Sequence, residues 1–300
     1  MRKHLLKIKQ ICPNTRFNVA LAPYTTFRIG GKAWALCEAV NLKELRELVA
    51  YLNTEHIPYF VLGNGSNILV SDSGFRGVVI RLKGEFEKLN SKKDGLIIAG
   101  AGVSISRLLR YCVENGLGGL EFLAGIPGTV GGALFMNAGA FGGEIADKVA
   151  EVMIVNPSGD VILKERKELN FSYRKMHLNK GSIITSASFS LEACNKEEIK
   201  NRISFYIQRK KQSQPVNCLS AGCVFKNPEG DYAGALIEKA GLKGKRIGDA
   251  IVSEIHANFI INKGNSSASD VMALINLIKN KVKAKDGIEL EPEIQFLGFD

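Results

Sequence analysis

The stretch Glu121-Phe122-Leu123-Ala124-Gly125-Ile126-Pro127-Gly128-Thr129-Val130-Gly131-Gly132-Ala133-Leu134-Phe135-Met136-Asn137-Ala138-Gly139-Ala140-Phe141-Gly142-Gly143 sets the fold of this chain. Seven of its residues are glycine, and only Glu121 carries charge, with Glu144 just beyond its end. An interior glycine costs a helix roughly 1 kcal/mol relative to alanine, so this is not an ordinary core helix. It is also too apolar for a solvated linker. Glycine at this density suits backbone that turns sharply, takes positive φ or comes close to another group. Where that group is a phosphate, N–H groups freed by the turns can hold it without a lysine. A glycine-rich core turn in a sheet protein is the alternative, and composition alone leaves the two level. Neither G-x-x-x-x-G-K-[ST] nor a helix-opening G-x-G-x-x-G occurs here, so a nucleotide site would be neither P-loop nor Rossmann.

Upstream, Pro58–Val70 reads strand, turn, strand around Gly63-Asn64-Gly65-Ser66-Asn67. Those five residues offer positive-φ positions and short polar side chains, which suit a diphosphate cradle. Asn-Gly is equally the strongest hairpin signal, so a plain hairpin turn stays open. Between the two glycine-rich stretches lie short apolar strands at Val78–Leu82 and Leu96–Gly100. A helix follows at Ser104–Asn115, ended by Gly116. Before them, Asn41–Asn53 is an amphipathic helix with Asn41 as cap and Glu44 three residues on. Strands recur at Glu151–Asn156 and Val161–Leu163 around the turn Pro157-Ser158-Gly159-Asp160, and again at Ile183–Leu191. Asn195–Gln212 is a helix whose Arg209-Lys210-Lys211 reads as a solvated face. Ser269–Lys283 is another helix, and Ile288–Phe296 is a final strand. This mixture is α+β.

The chain has 300 residues, 45% hydrophobic and 23% charged, as soluble globular proteins do. No apolar run approaches the roughly 18 residues of a membrane span. Met1–Asn14 lacks the apolar core of a secretory signal, which makes the cytoplasm the expected location. Six cysteines are scattered without C-x-x-C, so neither a zinc set nor a disulfide framework is expected. Cys37 and Cys112 read as small core residues. The net charge of +10 is uneven: residues 200–246 carry ten Lys or Arg against three acids. Such a patch draws nucleic acid or phosphorylated small molecules. No nucleic-acid-binding motif accompanies it, which favours the second.

Thr26-Phe27-Arg28-Ile29-Gly30-Gly31, the Gly63–Asn67 loop, the Gly125–Gly132 segment with Asn137, and Ala221-Gly222-Cys223-Val224-Phe225-Lys226-Asn227-Pro228 occur in one order. Together they resemble the UDP-N-acetylenolpyruvoylglucosamine reductase family. The resemblance runs from Thr25 to Phe296. The chain lacks the insertions and the tyrosine-bearing lid of the longer form, and so looks like the shorter, second type. The resemblance implies a two-part FAD-binding domain of the para-cresol methylhydroxylase and vanillyl-alcohol oxidase type, at residues 1–85 and 86–200. It also implies a UDP-sugar-binding α+β domain at 201–300. It implies FAD and NADPH as cofactors and UDP-N-acetylglucosamine enolpyruvate as the substrate reduced, in peptidoglycan synthesis. No metal, nucleic-acid or membrane partner is implied, and a monomer is expected.

Residue by residue, the resemblance points to Arg28, Gly63, Asn64, Gly65, Ser66, Asn67, Gly125, Ile126, Pro127, Gly128, Thr129, Gly131, Gly132 and Asn137 for the flavin. Arg174, in Phe171-Ser172-Tyr173-Arg174, would bind the enolpyruvyl carboxylate; arginine suits this because its planar fork matches a carboxylate and stays charged. Cys223 stands where the family commonly has the proton-donating serine. A thiol with an ordinary pKa near 8.5 is protonated at neutral pH and is a sound donor; the bland alternative is a core cysteine. Glu293, before Ile294, carries over as the catalytic carboxylate, with Glu291 as the fallback. Glu289, Glu291 and Glu293 along one strand face would repel one another, which an exposed edge tolerates. Lys226, Asn227 and His256 are candidates for the substrate, His256 equally a structural histidine.

Overall fold

The structure, a computed structural model, describes residues 2–91 and 96–299. The chain forms two compact units. The first comprises Met1–Asn18, Trp34–Asn64 and Gly77–Arg209; the second comprises Val19–Ala33, Gly65–Arg76 and Lys210–Asp300.

In the first unit, four strands lie in the order Thr15–Ala20, Lys32–Ala39, Phe75–Leu82, Tyr59–Val61. The last two run parallel, with Tyr59 opposite Val78. The helix Leu42–Thr54 supplies the crossing layer. The Asn41 side chain accepts from the Glu44 N–H at 2.9 Å, and the Glu44 carboxylate accepts from Val40 N–H at 3.2 Å. Its apolar stripe of Leu45, Leu48, Val49 and Leu52 is buried, as the spacing predicts.

A second sheet in this unit is wholly antiparallel. Its order is Val161–Glu165, Val149–Val155, Ile183–Ser190, Leu96–Gly100, Leu89–Ser91. Val78 and Ile80 of the first sheet join Ile97, Val152, Ala187 and Phe189 of the second in one apolar core. Cys37 and Cys112 are buried in it, and burial pushes the Cys112 thiol up to about 12. The helix Ile105–Asn115 starts on Ser104, which accepts from Arg107 N–H at 3.2 Å, and stops at Gly116 with φ +64°.

The second unit has a small antiparallel sheet, Arg246–Ile247, Ala250–Val252 and Ile260–Asn262. The helices Ala233–Lys239 and Ala268–Asp286 accompany it. Phe27 and Leu69, from early in the sequence, share its core with Phe225, Leu236, Val271 and Leu274. Gln295–Leu297 pairs in parallel with Ile68–Val70.

Several expectations change. The two strands flanking Gly63–Asn67 are not a hairpin: Tyr59–Val61 pairs with Phe75–Leu82, and Ile68–Val70 with Gln295–Leu297. The units also cut differently from 1–85, 86–200 and 201–300. Val19–Ala33 and Gly65–Arg76 belong with the C-terminal residues, because their apolar side chains and strand edge are completed only there. The helix Lys196–Ser213 runs through position 201, and Lys210 within it is buried, not solvated. The expected strand Ile288–Phe296 shrinks to Gln295–Leu297. Pro292 has no N–H to give a ladder, and residues 291–293 bond instead with 224–226. An N-terminal helix, Arg2–Ile11, was not foreseen.

Candidate functional site

In the first unit the glycine-rich segment runs back along the end of strand Leu96–Gly100. Gly131 N–H donates to Ala101 O at 2.9 Å, Val130 N–H to Val103 O at 2.8 Å, and Ile105 N–H to Gly128 O at 3.0 Å. Glycine is required here: a Cβ on Gly131 would lie 2.9 Å from that of Ala101. Thr129 caps the short helix Val130–Phe135, its hydroxyl accepting from Gly132 N–H at 3.3 Å. The same hydroxyl is what a Cβ on Gly63 would strike, at 2.7 Å. Two motifs more than sixty residues apart in sequence thus meet at Gly63 and Thr129, with no space for a side chain between them.

Downstream, the segment bends at Asn137, whose φ is +41°, and at Phe141, whose φ is +54°. Asn137 is 1% exposed. Its amide nitrogen donates to Glu144 Oε2 at 2.7 Å and to Ser172 O at 3.1 Å. Its amide oxygen accepts from Ala146 N–H at 3.3 Å. Its side chain, a flavin candidate from the sequence, is thus committed to protein partners. Ser172 begins the tight turn between strands Asn170–Ser172 and Lys175–His177. Arg174 sits in that turn with φ +58°, its guanidinium 5.2 Å from the Tyr173 ring centre. It also lies against Gly139, where a Cβ would come 3.3 Å from Arg174 Nη1.

The chain passes from the first unit to the second between Asn64 and Gly65. Within the second unit, Gly65 has φ +63° and packs on the Thr26 motif: a Cβ there would stand 2.2 Å from Tyr24 O. Thr26 N–H donates to Gly65 O at 3.0 Å. Arg28, at φ +58°, turns its guanidinium onto Pro23 O at 2.7 Å. Asn67 then reaches the C-terminal segment, its amide nitrogen donating to Glu293 O at 3.2 Å and its carbonyl accepting from Gln295 N–H at 2.9 Å. Glu293 N–H donates to Val224 O at 2.7 Å. The backbone of Val224, next to Cys223, is therefore held against that of Glu293, while Cys223 itself bridges to Phe259. Cys223 is half-buried and follows Gly222 at φ +78°.

The other flank of Cys223 rests on Asn258. Its amide bonds both ways to Phe225, accepting from N–H at 2.9 Å and donating to O at 2.8 Å, while Val224 N–H donates to Asn258 O at 2.8 Å. Asn258 is 3% exposed. It was not among the expected site residues; the signal for it was an amide set among the apolar residues of His256-Ala257-Asn258-Phe259-Ile260. His256 itself is structural in its contacts. Its Nδ1 accepts from Asn258 N–H at 3.3 Å, and its ring meets Phe259 edge-on at 5.2 Å. Burial, foremost, lowers its pKa below the ordinary value.

Two candidates are engaged with protein partners. Lys226 Nζ lies 2.6 Å from Glu291 Oε1, and Asn227 Oδ1 accepts from Ala233 N–H at 3.1 Å, starting the helix Ala233–Lys239. The acidic strand face does not arise: Glu291 pairs with Lys226, and Glu289 with Lys283 at 3.1 Å. Among the described residues no group of three or more His, Cys, Asp or Glu could hold a metal ion. No helix among them is long and apolar enough to cross a membrane.

Comparison with known proteins divides the chain in two. Residues 34–163 match the FAD binding domain family, and residues 214–297 match the C-terminal domain of UDP-N-acetylenolpyruvoylglucosamine reductase. The reductase of that name from Caldanaerobacter subterraneus subsp. tengcongensis is 45% identical over 97% of each chain. That from Syntrophus aciditrophicus is 43% identical over 95% of this chain and 92% of its own. The crystal structure of the Thermus caldophilus enzyme superposes with a TM-score of 0.82 at 42% identity, covering 94% of this chain and 99% of that one. With this likeness running the length of the chain, the protein belongs to the UDP-N-acetylenolpyruvoylglucosamine reductase family.

Proposed function

We propose that this protein reduces the enolpyruvyl group of UDP-N-acetylglucosamine enolpyruvate to the lactyl group of UDP-N-acetylmuramate, for peptidoglycan synthesis, consuming one NADPH and one proton. The observation that carries this reading is the meeting of the Gly63 loop and the Thr129 segment. Backbone packed that closely offers a dinucleotide main-chain groups in place of bulky side chains. The residues therefore fit FAD, with Gly63–Asn67 and Gly125–Gly132 as the segments that would hold it. When bound, FAD supplies hydride transfer from NADPH to the vinyl carbon.

The chain's own residues serve the other half of the reaction. Hydride arriving at the terminal carbon leaves negative charge on the carbon beside the carboxylate, and that charge spreads into the carboxylate. Arg174 binds this group and offsets the charge as it grows; a fixed guanidinium does so without reorganising. Its hairpin is pinned through Asn137, which favours this role. Cys223 gives its Sγ–H proton to the carbanion and is reprotonated from solvent. Glu293 assists on the same charge, which requires that it present a proton. The pairing of Glu291 with Lys226 supports Glu293 over Glu291 for this task. Lys226, Asn227 and the basic loop Leu242–Gly248 are the groups for diphosphate ligands, Lys226 by exchanging Glu291 for phosphate. We place the protein in the cytoplasm, as a monomer.

Replacing the donor tests the scheme. Cys223→Ala should keep its flavin and its reduction by NADPH while turnover falls about 10²–10⁴-fold, the usual worth of a positioned proton donor. Cys223→Ser should retain substantial turnover. Unchanged turnover in Cys223→Ala removes Cys223 from the mechanism.

A further inference from the structure

Asn137 lies in the glycine-rich segment, yet nothing about its side chain faces outward. It is 1% exposed, and its amide is spent on Glu144 Oε2 at 2.7 Å, Ser172 O at 3.1 Å and Ala146 N–H at 3.3 Å. Its backbone stands at φ +41°, a conformation that asparagine and glycine tolerate better than other residues. Of the three bonds, two go to residues within ten positions of Asn137, and the one to Ser172 reaches a distant strand. Ser172 is two residues before Arg174 and is the last residue paired before the turn, opposite Lys175. Arg174 itself sits at φ +58°. A two-residue turn closing two three-residue strands has little intrinsic stability, so its tip is aimed by whatever anchors the hairpin's end. On the other side, Gly139 leaves the space that Nη1 of Arg174 occupies, since a Cβ there would come 3.3 Å from it. Glu144 fixes Asn137 in turn, and its own N–H donates to Asp147 Oδ2 at 2.9 Å.

We propose that Asn137 is a positioning residue for Arg174: its amide ties the Arg174 hairpin to the glycine-rich segment and so sets where the guanidinium meets the substrate carboxylate. The inference rests on the role given to Arg174 above. It assigns Asn137 to the second half of the reaction, the reduction of the enolpyruvyl substrate, and away from the flavin. Misplacing a binding group by about 1 Å costs on the order of 10²-fold in rate. The loss should therefore be large where Arg174 acts and absent where it does not.

The test uses the flavin-loaded protein in two variants. Asn137→Gly accepts the positive φ and removes the amide. Asn137→Asp keeps the shape and the acceptor for Ala146 but removes both donated bonds and sets a carboxylate against Glu144. Flavin content, melting temperature and the two anaerobic half-reactions are measured for each, beside Arg174→Ala. Both variants should hold FAD and be reduced by NADPH at the parent rate. Reoxidation by UDP-N-acetylglucosamine enolpyruvate should slow at least tenfold, in kcat more than in KM, in the same direction as Arg174→Ala. Reoxidation at the parent rate in Asn137→Gly and Asn137→Asp, with Arg174→Ala impaired, overturns the positioning role. Loss of FAD or slowed reduction by NADPH in both variants also overturns it, by returning Asn137 to the flavin. Parent-rate reoxidation in Arg174→Ala overturns the role of Arg174, and the inference with it.

Discussion

Gly63 shows how a single missing Cβ can decide a site. Its nearest neighbour is the hydroxyl of Thr129, 2.7 Å from where a Cβ would be, and a real Cβ does not approach so closely. Gly63→Ala therefore forces the two glycine-rich loops apart. The fold should survive, because the strain falls on a loop, but FAD should bind at least tenfold more weakly. Flavin titration monitored by fluorescence checks this, and unaltered affinity would mean that the two loops do not act together. His256 gives a prediction of another kind. Burial depresses its pKa below the ordinary 6.5. The unfolded chain then binds the proton more readily than the folded one below that pH. Stability contributed by neutral His256 is present above about 6.5 and is lost as pH falls toward the depressed value. The melting temperature should drop over that interval, and less so in His256→Gln. Equal slopes in the two proteins would show that His256 is not the group responsible.

The helix Ala268–Asp286 carries a device that its own sequence conceals. Ser267 and Asp270 form a capping box, with Ser267 Oγ accepting at 3.0 Å and Asp270 Oδ2 at 2.9 Å. Asp72, from nearly two hundred residues earlier, adds a second cap. Its carboxylate accepts from Ala268 N–H at 2.8 Å, Ser269 N–H at 3.0 Å and the Ser269 hydroxyl at 3.0 Å. A carboxylate at a helix start satisfies orphan donors and the helix dipole together. Asp72→Ala should destabilise the second unit by about 1–2 kcal/mol, the upper range for a cap. A lowered urea midpoint measures this, and an unchanged one would show that Ser267 suffices. The contrast marks what could be read locally. Helices with an amphipathic stripe and a polar residue at the right offset, such as Leu42–Thr54 behind Asn41, are written in neighbouring residues. The Asp72 cap, the Asn258 clamp on Phe225 and the Asn137 tie to Ser172 join residues 33 to 197 positions apart, and no local pattern encodes them. The final strand fails for a related reason. Alternation in Ile288–Phe296 suggests a ladder that Pro292 and the bonds to Val224 and Lys226 prevent.

At the scale of the molecule, the glycine-rich stretches marked where backbone packs closely more readily than they marked the chain's division. Glycine marks close backbone approach wherever it is needed, so Gly63, Gly65 and Gly131 could be picked out from sequence. The split of the N-terminal third between two units could not, since Val19–Ala33 and Gly65–Arg76 look like ordinary pieces of a continuous domain until Phe27 and Leu69 are seen in the C-terminal core. Of the ten Lys and Arg across residues 200–246, seven lie in that second unit beside three acids, a basic balance that suits diphosphate-bearing ligands. One anaerobic experiment bears on all of this at once. The purified flavoprotein is reduced with NADPH, UDP-N-acetylglucosamine enolpyruvate is added, and the visible absorbance of the flavin is followed. Bleaching by NADPH and prompt return of the oxidised spectrum on adding the substrate are predicted. A flavin that bleaches but stays reduced would contradict the proposed reaction.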